Sequence, residues 1–176
     1  MERNRQLFIV GAFPIHIWSI ISQLYQIGDG KEFFERASYS LTFALFESVG
    51  ITLLLILVYK ILTQSWKESR VIATVGILYF YASLWGMIGQ IYFMLNQSKG
   101  SFWFRVFNII GRNGEVFLPL LVVILILSTF IIIIVVNRSE KIQKLFISCI
   151  DRLSILVILY ALLDIIGLVV VIVRNI

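Results

Sequence analysis

Leu153–Val173 reads LSILVILYALLDIIGLVVVIV, twenty-one positions with a single charged residue, Asp164. A helix of that length rises about 31 Å, and the hydrocarbon core of a bilayer is about 30 Å thick. A half-buried strand would alternate apolar and polar residues with period two, and this run does not. It predicts a membrane-spanning helix.

Four more stretches read the same way. Leu7–Ile27 is the most polar, with Pro14, His16, Ser19, Ser22, Gln23 and Gln26. Tyr39–Leu62 is interrupted by Glu47 and ends in Tyr59-Lys60. Val71–Leu95 carries Gly76, Gly86, Gly89 and Gln90, and Val116–Val136 is apolar apart from Ser128 and Thr129. In the fifth, the opening one, Ser154, Tyr160, Asp164 and Gly167 are the interruptions. The expected fold is therefore all-α, a polytopic bundle of about five transmembrane helices in one domain covering residues 1–176. No internal repeat and no Pro/Gly/Ser-rich linker divides it.

Composition agrees. Of 176 residues, 60% are apolar and 14% charged, against about 45–50% and about 25% in a soluble domain. Mean hydropathy is +0.96. These values exclude a soluble enzyme, a disordered chain and a disulfide scaffold. The net charge of +5 reads as the basic flanks of membrane spans and not as a nucleic-acid footprint. The lone Cys149 excludes a CxxC redox pair and an intramolecular disulfide. Met1–Arg5 is a basic leader, but the apolar stretch behind it is too long for a signal peptide and no small-x-small site follows. The first span is expected to be retained.

Lysine and arginine set the orientation. Alternate connections hold Arg3, Arg5, Lys60, Lys67, Arg70, Arg138, Lys141, Lys144 and Arg152 on one side, nine in all. The other side holds Lys31, Arg36, Lys99, Arg105, Arg112 and Arg174, six in all. The imbalance predicts a cytoplasmic N-terminus and an external C-terminus. In a bacterium the membrane would be the inner one. Two connections carry a pattern of their own. Residues 101–112, SFWFRVFNIIGR, interleave aromatics with Arg105 and Arg112, as in an amphipathic helix lying in the external interface. In 139–152, Ile142, Leu145, Phe146 and Cys149 recur at three- and four-residue steps, while Lys141, Lys144, Ser148, Asp151 and Arg152 occupy the rest. That predicts a cytoplasmic interfacial helix running into the last span.

Three ionisable side chains fall inside spans: His16, Glu47 and Asp164. Each lies within about three residues of its span's centre, so all three fit a slab about 5 Å thick around the midplane. A charge at mid-span costs roughly 2.5–3.5 kcal/mol on insertion scales, so each must face a partner or a water-filled cavity, or carry a neutralising proton. The functional reading is a polar site that passes protons or holds a cation, supported by Tyr160, Ser48 and Gln90. The structural reading is interhelical glue, with Asp164 bonded to Tyr160 one turn back and Glu47 to a Gln or Ser on a neighbouring helix.

Small residues mark the expected packing faces: Ala44 beside Ser48, the stripe Ala82, Gly86 and Gly89, and Gly167 one turn from Asp164. Pro14 removes a backbone donor one turn ahead of His16 and is expected to bend the first span. Val116–Val136 has neither stripe nor charge and is expected to face lipid or a sister subunit.

The chain holds no catalytic, phosphate-binding or cofactor motif, and a single histidine allows no multi-histidine metal site unless an oligomer assembles a His16 ring. The resulting expectation is a non-enzymatic membrane subunit or small transport or channel-type protein without cofactor. The lipid bilayer surrounds it, and a second copy or a partner membrane protein completes it. The alternatives are a membrane enzyme acting on a lipid or isoprenoid, with Glu47 or Asp164 as acid or base, and a purely architectural protein.

Overall fold

The computed structural model describes residues 2–25, 30–96 and 114–175, and side chains over 2–23, 34–90 and 122–175. Every described element is an α-helix: α1 Glu2–Tyr25, α2 Gly30–Leu62, α3 Glu68–Asn96, α4 Gly114–Arg138 and α5 Glu140–Asn175. Four contain a stretch long and apolar enough to cross a membrane, namely Glu2–Gln23, Phe34–Leu62, Glu68–Gln90 and Glu140–Asn175. The described apolar part of α4, Val122–Arg138, is shorter. The aromatic connection 101–112 lies outside the described residues.

Helix α1 runs without a break through Pro14, leaving the Val10 carbonyl without its usual helical donor. The expected interfacial segment 139–152 and the last span form one helix. Ser139 starts it as an N-cap, its hydroxyl accepting from the Ile142 amide at 3.4 Å. Gln143 then reaches back to the Val136 carbonyl at 2.8 Å, satisfying the end of α4.

Cross-contacts fix the directions. Gly11 of α1 lies against Thr52 of α2, and Ser19 bonds Ser40 at 2.7 Å, so these two helices are antiparallel. Arg5 and Gln6 meet Asp151, and His16 meets Asp164, so α1 and α5 run parallel over that stretch. Arg70 and Thr74 bond Asn137, and Tyr81 bonds Ser128, which sets α3 antiparallel to α4. Successive helices thus reverse direction.

The opening turns of α5 depart from this up-and-down pattern. Asp151 meets Arg5 and Gln6 at one end of α1. Phe146, five residues earlier, sits against Gly76 and Phe80, at the depth of Val10 and Phe13. A straight helix would set Phe146 about 7.5 Å to the other side of Asp151. The first turns of α5 therefore lie across the end of the bundle and the rest runs along it.

An apolar core that includes Leu7, Val10, Val71, Ile150 and Val157 fills the bundle, but polar residues share it and large apolar ones cover the outside, unlike a water-soluble bundle. Gln6, His16, Ser19, Ser48, Thr52, Thr74, Gln143 and Asp164 are buried, while Phe43, Phe46, Leu53, Leu57, Phe130, Ile155, Ile158 and Val173 are all more than half exposed. In water that arrangement would be strongly unfavourable, since apolar surface gains about 25 cal/mol per Å² on leaving it. In lipid it costs nothing, and the interior is the only place where polar side chains find partners.

Tight helix approach comes from small residues, though not all those expected. A Cβ on Gly167 would lie 3.0 Å from the Leu41 Cβ and 3.1 Å from the Ser38 carbonyl, so this glycine lets α5 close on α2. Ala44 and Ser48 are buried as well. The stripe on α3 is different: Ala82 and Gly86 are exposed and Gly89 partly so, and a Cβ on either glycine meets no atom within 4 Å. The α3 glycine that does pack is Gly76, whose Cβ would collide with the Phe146 ring. It is there that α5 crosses α3, a contact set by the transverse opening of α5.

Candidate functional site

The site begins on α1, where His16 follows Ala12 by one turn. A helical side chain points back toward the N-terminus, which brings the imidazole Nδ1 to 2.8 Å from the Ala12 carbonyl. A carbonyl oxygen only accepts, so Nδ1 carries hydrogen and donates. The opposite ring nitrogen, Nε2, lies 2.7 Å from Oδ2 of Asp164 on α5. Only 2% of His16 and 1% of Asp164 is exposed. The Tyr160 ring lies parallel to the imidazole, centroids 5.1 Å apart and planes at 9°.

Proton placement follows from these partners. With Nδ1 committed to Ala12, one proton lies between Nε2 and Oδ2. Wherever it sits, the dyad has no net charge, either imidazole with carboxylic acid or imidazolium with carboxylate. Neutrality explains how both groups tolerate burial that would cost an isolated ion several kcal/mol. Removing the proton leaves a carboxylate facing a nitrogen lone pair, and adding one gives an imidazolium beside a carboxylic acid. The pair is thus a neutral clasp between the first helix and the last.

The carboxyl is only half used. Among the described residues, Oδ1 of Asp164 is buried with no hydrogen-bond partner, and so is the Ser48 hydroxyl on α2. An unpaired buried polar atom costs about 1–3 kcal/mol. Oδ1 offers a free acceptor position to a water, a proton donor or a cation.

The polar face of α1 continues beyond His16. Ser19 bonds Ser40 of α2, and Gln23 donates to the Ser19 hydroxyl at 3.4 Å. Ala12, His16, Ser19 and Gln23 follow at steps of four, three and four, so they share one side of α1. Depth along α5 is also informative. Thirteen positions separate Asp151 from Asp164, and ten separate Asp164 from Arg174, about 20 and 15 Å along a helix. Arg5 pairs with Asp151 at 3.3 Å and Arg174 with Glu35 at 3.1 Å. The dyad therefore lies between two charged layers whose separation matches a bilayer core.

Of the three ionisable residues expected to cluster, the structure brings together His16 and Asp164. Glu47 is exposed on α2, one position from buried Ser48 and outside the dyad. The 100° advance per helical residue is enough to turn it off the face that carries Ser48. Tyr160 reaches the site by its ring face and not by its hydroxyl. Gln90 is exposed and far along α3. Sequence reasoning missed the Ala12 carbonyl and the Ser19–Ser40 pair. For Ser19 a signal existed, since it stands three residues from His16 on the same face. Among the described residues no group of three or more His, Cys, Asp or Glu side chains could hold a metal ion.

Compared with known proteins, the chain matches no protein-family model, no curated protein and no solved structure.

Proposed function

We propose that the protein is a small, non-enzymatic integral membrane protein of transport or subunit type, in which His16 and Asp164 take up and pass on a proton at mid-depth. In this reading all five helices cross the bilayer, the N-terminus is cytoplasmic, and the transverse start of α5 lies in the cytoplasmic interface. One observation carries it: a carboxyl 1% exposed, with one oxygen on an imidazole at 2.7 Å and the other without a partner among the described residues. A purely structural clasp gains most when every lone pair is used. An acid kept half-satisfied at the centre of a membrane helix is the arrangement expected of a proton relay.

Reconstitution tests it. Liposomes holding the protein and a pH-sensitive dye are driven by a potassium diffusion potential. Proton flux should exceed that of empty liposomes at least several-fold. It should vanish in Asp164→Asn, which keeps the shape but cannot exchange a proton at this position, and persist in Glu47→Gln. Equal flux in wild type and Asp164→Asn, or none in either, would assign the dyad to glue.

A further inference from the structure

The transverse start of α5 carries a feature that the proton site does not use. Lys141, Lys144, Ser148 and Arg152 follow at steps of three, four and four, on one side of the helix, and all four are exposed. Between Lys144 and Arg152 lies an open recess of about 440 Å³, lined also by Ile147, Ser148 and Asp151. The Asp151 carboxylate is already engaged, since its Oδ1 accepts from Arg5 at 3.3 Å and Gln6 at 3.2 Å. Lys144 and Arg152 enter no ion pair among the described residues. The recess therefore presents two uncompensated cations and one hydroxyl, a donor set that suits a phosphate. Beside it Leu145 is 63% exposed.

We propose that this recess binds the phosphate headgroup of an anionic glycerophospholipid. Depth selects a lipid over a soluble phosphate. The recess shares Asp151 with the charged layer about 20 Å along α5 from the dyad, where the headgroups begin if the dyad is at the midplane. Leu145 then projects toward the acyl chains while Lys144 and Arg152 hold the phosphate, the division of labour of an amphipathic helix in an interface. The proposal rests on the membrane placement given under Proposed function and is independent of proton movement.

The test uses the full chain in mild detergent, with dioleoylphosphatidylglycerol or dioleoylphosphatidylcholine added. Native mass spectrometry counts retained lipids, and thermal unfolding follows stabilisation. Wild type should retain the phosphatidylglycerol preferentially. The double variant Lys144→Gln/Arg152→Gln should lose about thirtyfold in that retention, the product of two charge–lipid contacts. Lys60→Gln/Lys67→Gln removes the same charge outside the recess and should retain it. All four side chains are exposed, so folding is preserved, and Ser148→Ala gives a third variant with charge unchanged and a smaller loss. Equal losses in the two double variants overturn the site in favour of diffuse attraction. Stabilisation by millimolar inorganic phosphate alone, equal to that by lipid, overturns it in favour of a soluble anion. Should the membrane placement itself fail, the chain would leave phosphatidylcholine vesicles in alkaline carbonate. A chain that stays in the vesicles yet ignores lipid charge contradicts only the recess.

Discussion

Asp164 and Glu47 are both carboxyls near the middle of long apolar helices, and they end in opposite surroundings. Asp164 lies where α1 and α5 meet, 1% exposed and bonded to His16, while Glu47 is exposed on α2, within electrostatic reach of Tyr79 on α3. The difference is one of helical phase. On α5, Gly167 lies one turn beyond Asp164 and lets the helix close on α2, so the face that carries the acid is the face that packs. On α2, the packing face is Ala44, Ser48 and Thr52, and Glu47 misses it by one residue. A mid-span acid is thus read by the small residues that share its face more than by its depth.

The sharpest way to break this comparison is to exchange both acids for leucine. Asp164→Leu should cost about 3 kcal/mol of stability in detergent, because it removes a buried bond and strands the His16 nitrogen. Adding His16→Phe should recover part of the loss, with a coupling of about 1–2 kcal/mol in the double-mutant cycle. Additive losses would show that the bond itself contributes nothing.

A smaller effect is expected at the glycines. Gly167→Val should destabilise by about 2 kcal/mol, since the Leu41 side chain and Ser38 backbone leave no room for it. Gly86→Ala, at an open position on α3, should be neutral or stabilise by about 0.5 kcal/mol through helix propensity. Thermal unfolding of the two variants side by side reads both.

The smallest effect is expected of Glu47→Leu, which should leave stability within about 0.5 kcal/mol of wild type or raise it. A loss above about 2 kcal/mol would mean that the Glu47 face of α2 is covered in the membrane by another polypeptide.

These residues also show what the sequence makes legible. Long apolar runs are read easily, because spanning the hydrocarbon core requires unbroken helices, and the common depth of His16, Glu47 and Asp164 follows from their positions, though not which acid meets the histidine. Rotation is harder. Whether Glu47 or Ser48 faces the interior depends on which side of α2 meets α1, and that is settled by contacts such as Gly11 on Thr52. The α3 stripe fails for the same reason: Ala82, Gly86 and Gly89 could seat a helix, but α5 crosses lower, at Gly76, because its first turns lie across the bundle. The merger of 139–152 with the last span, and a start that lies across it, were legible in the periodicity, whereas the seat of that start was not, since it depends on Phe146 finding the cleft beside Gly76.

The His16–Asp164 bond joins residues 148 positions apart, and this has a consequence for biogenesis. At a synthesis rate of about 5–20 residues per second, roughly 7–30 s pass between the emergence of the imidazole and that of its acid. In the membrane placement proposed above, the first helix waits through that interval with its histidine unmatched. Assembly cannot finish until the last helix arrives, so a chain stalled before α5 exposes a polar mark in the bilayer by which unfinished protein can be told from finished.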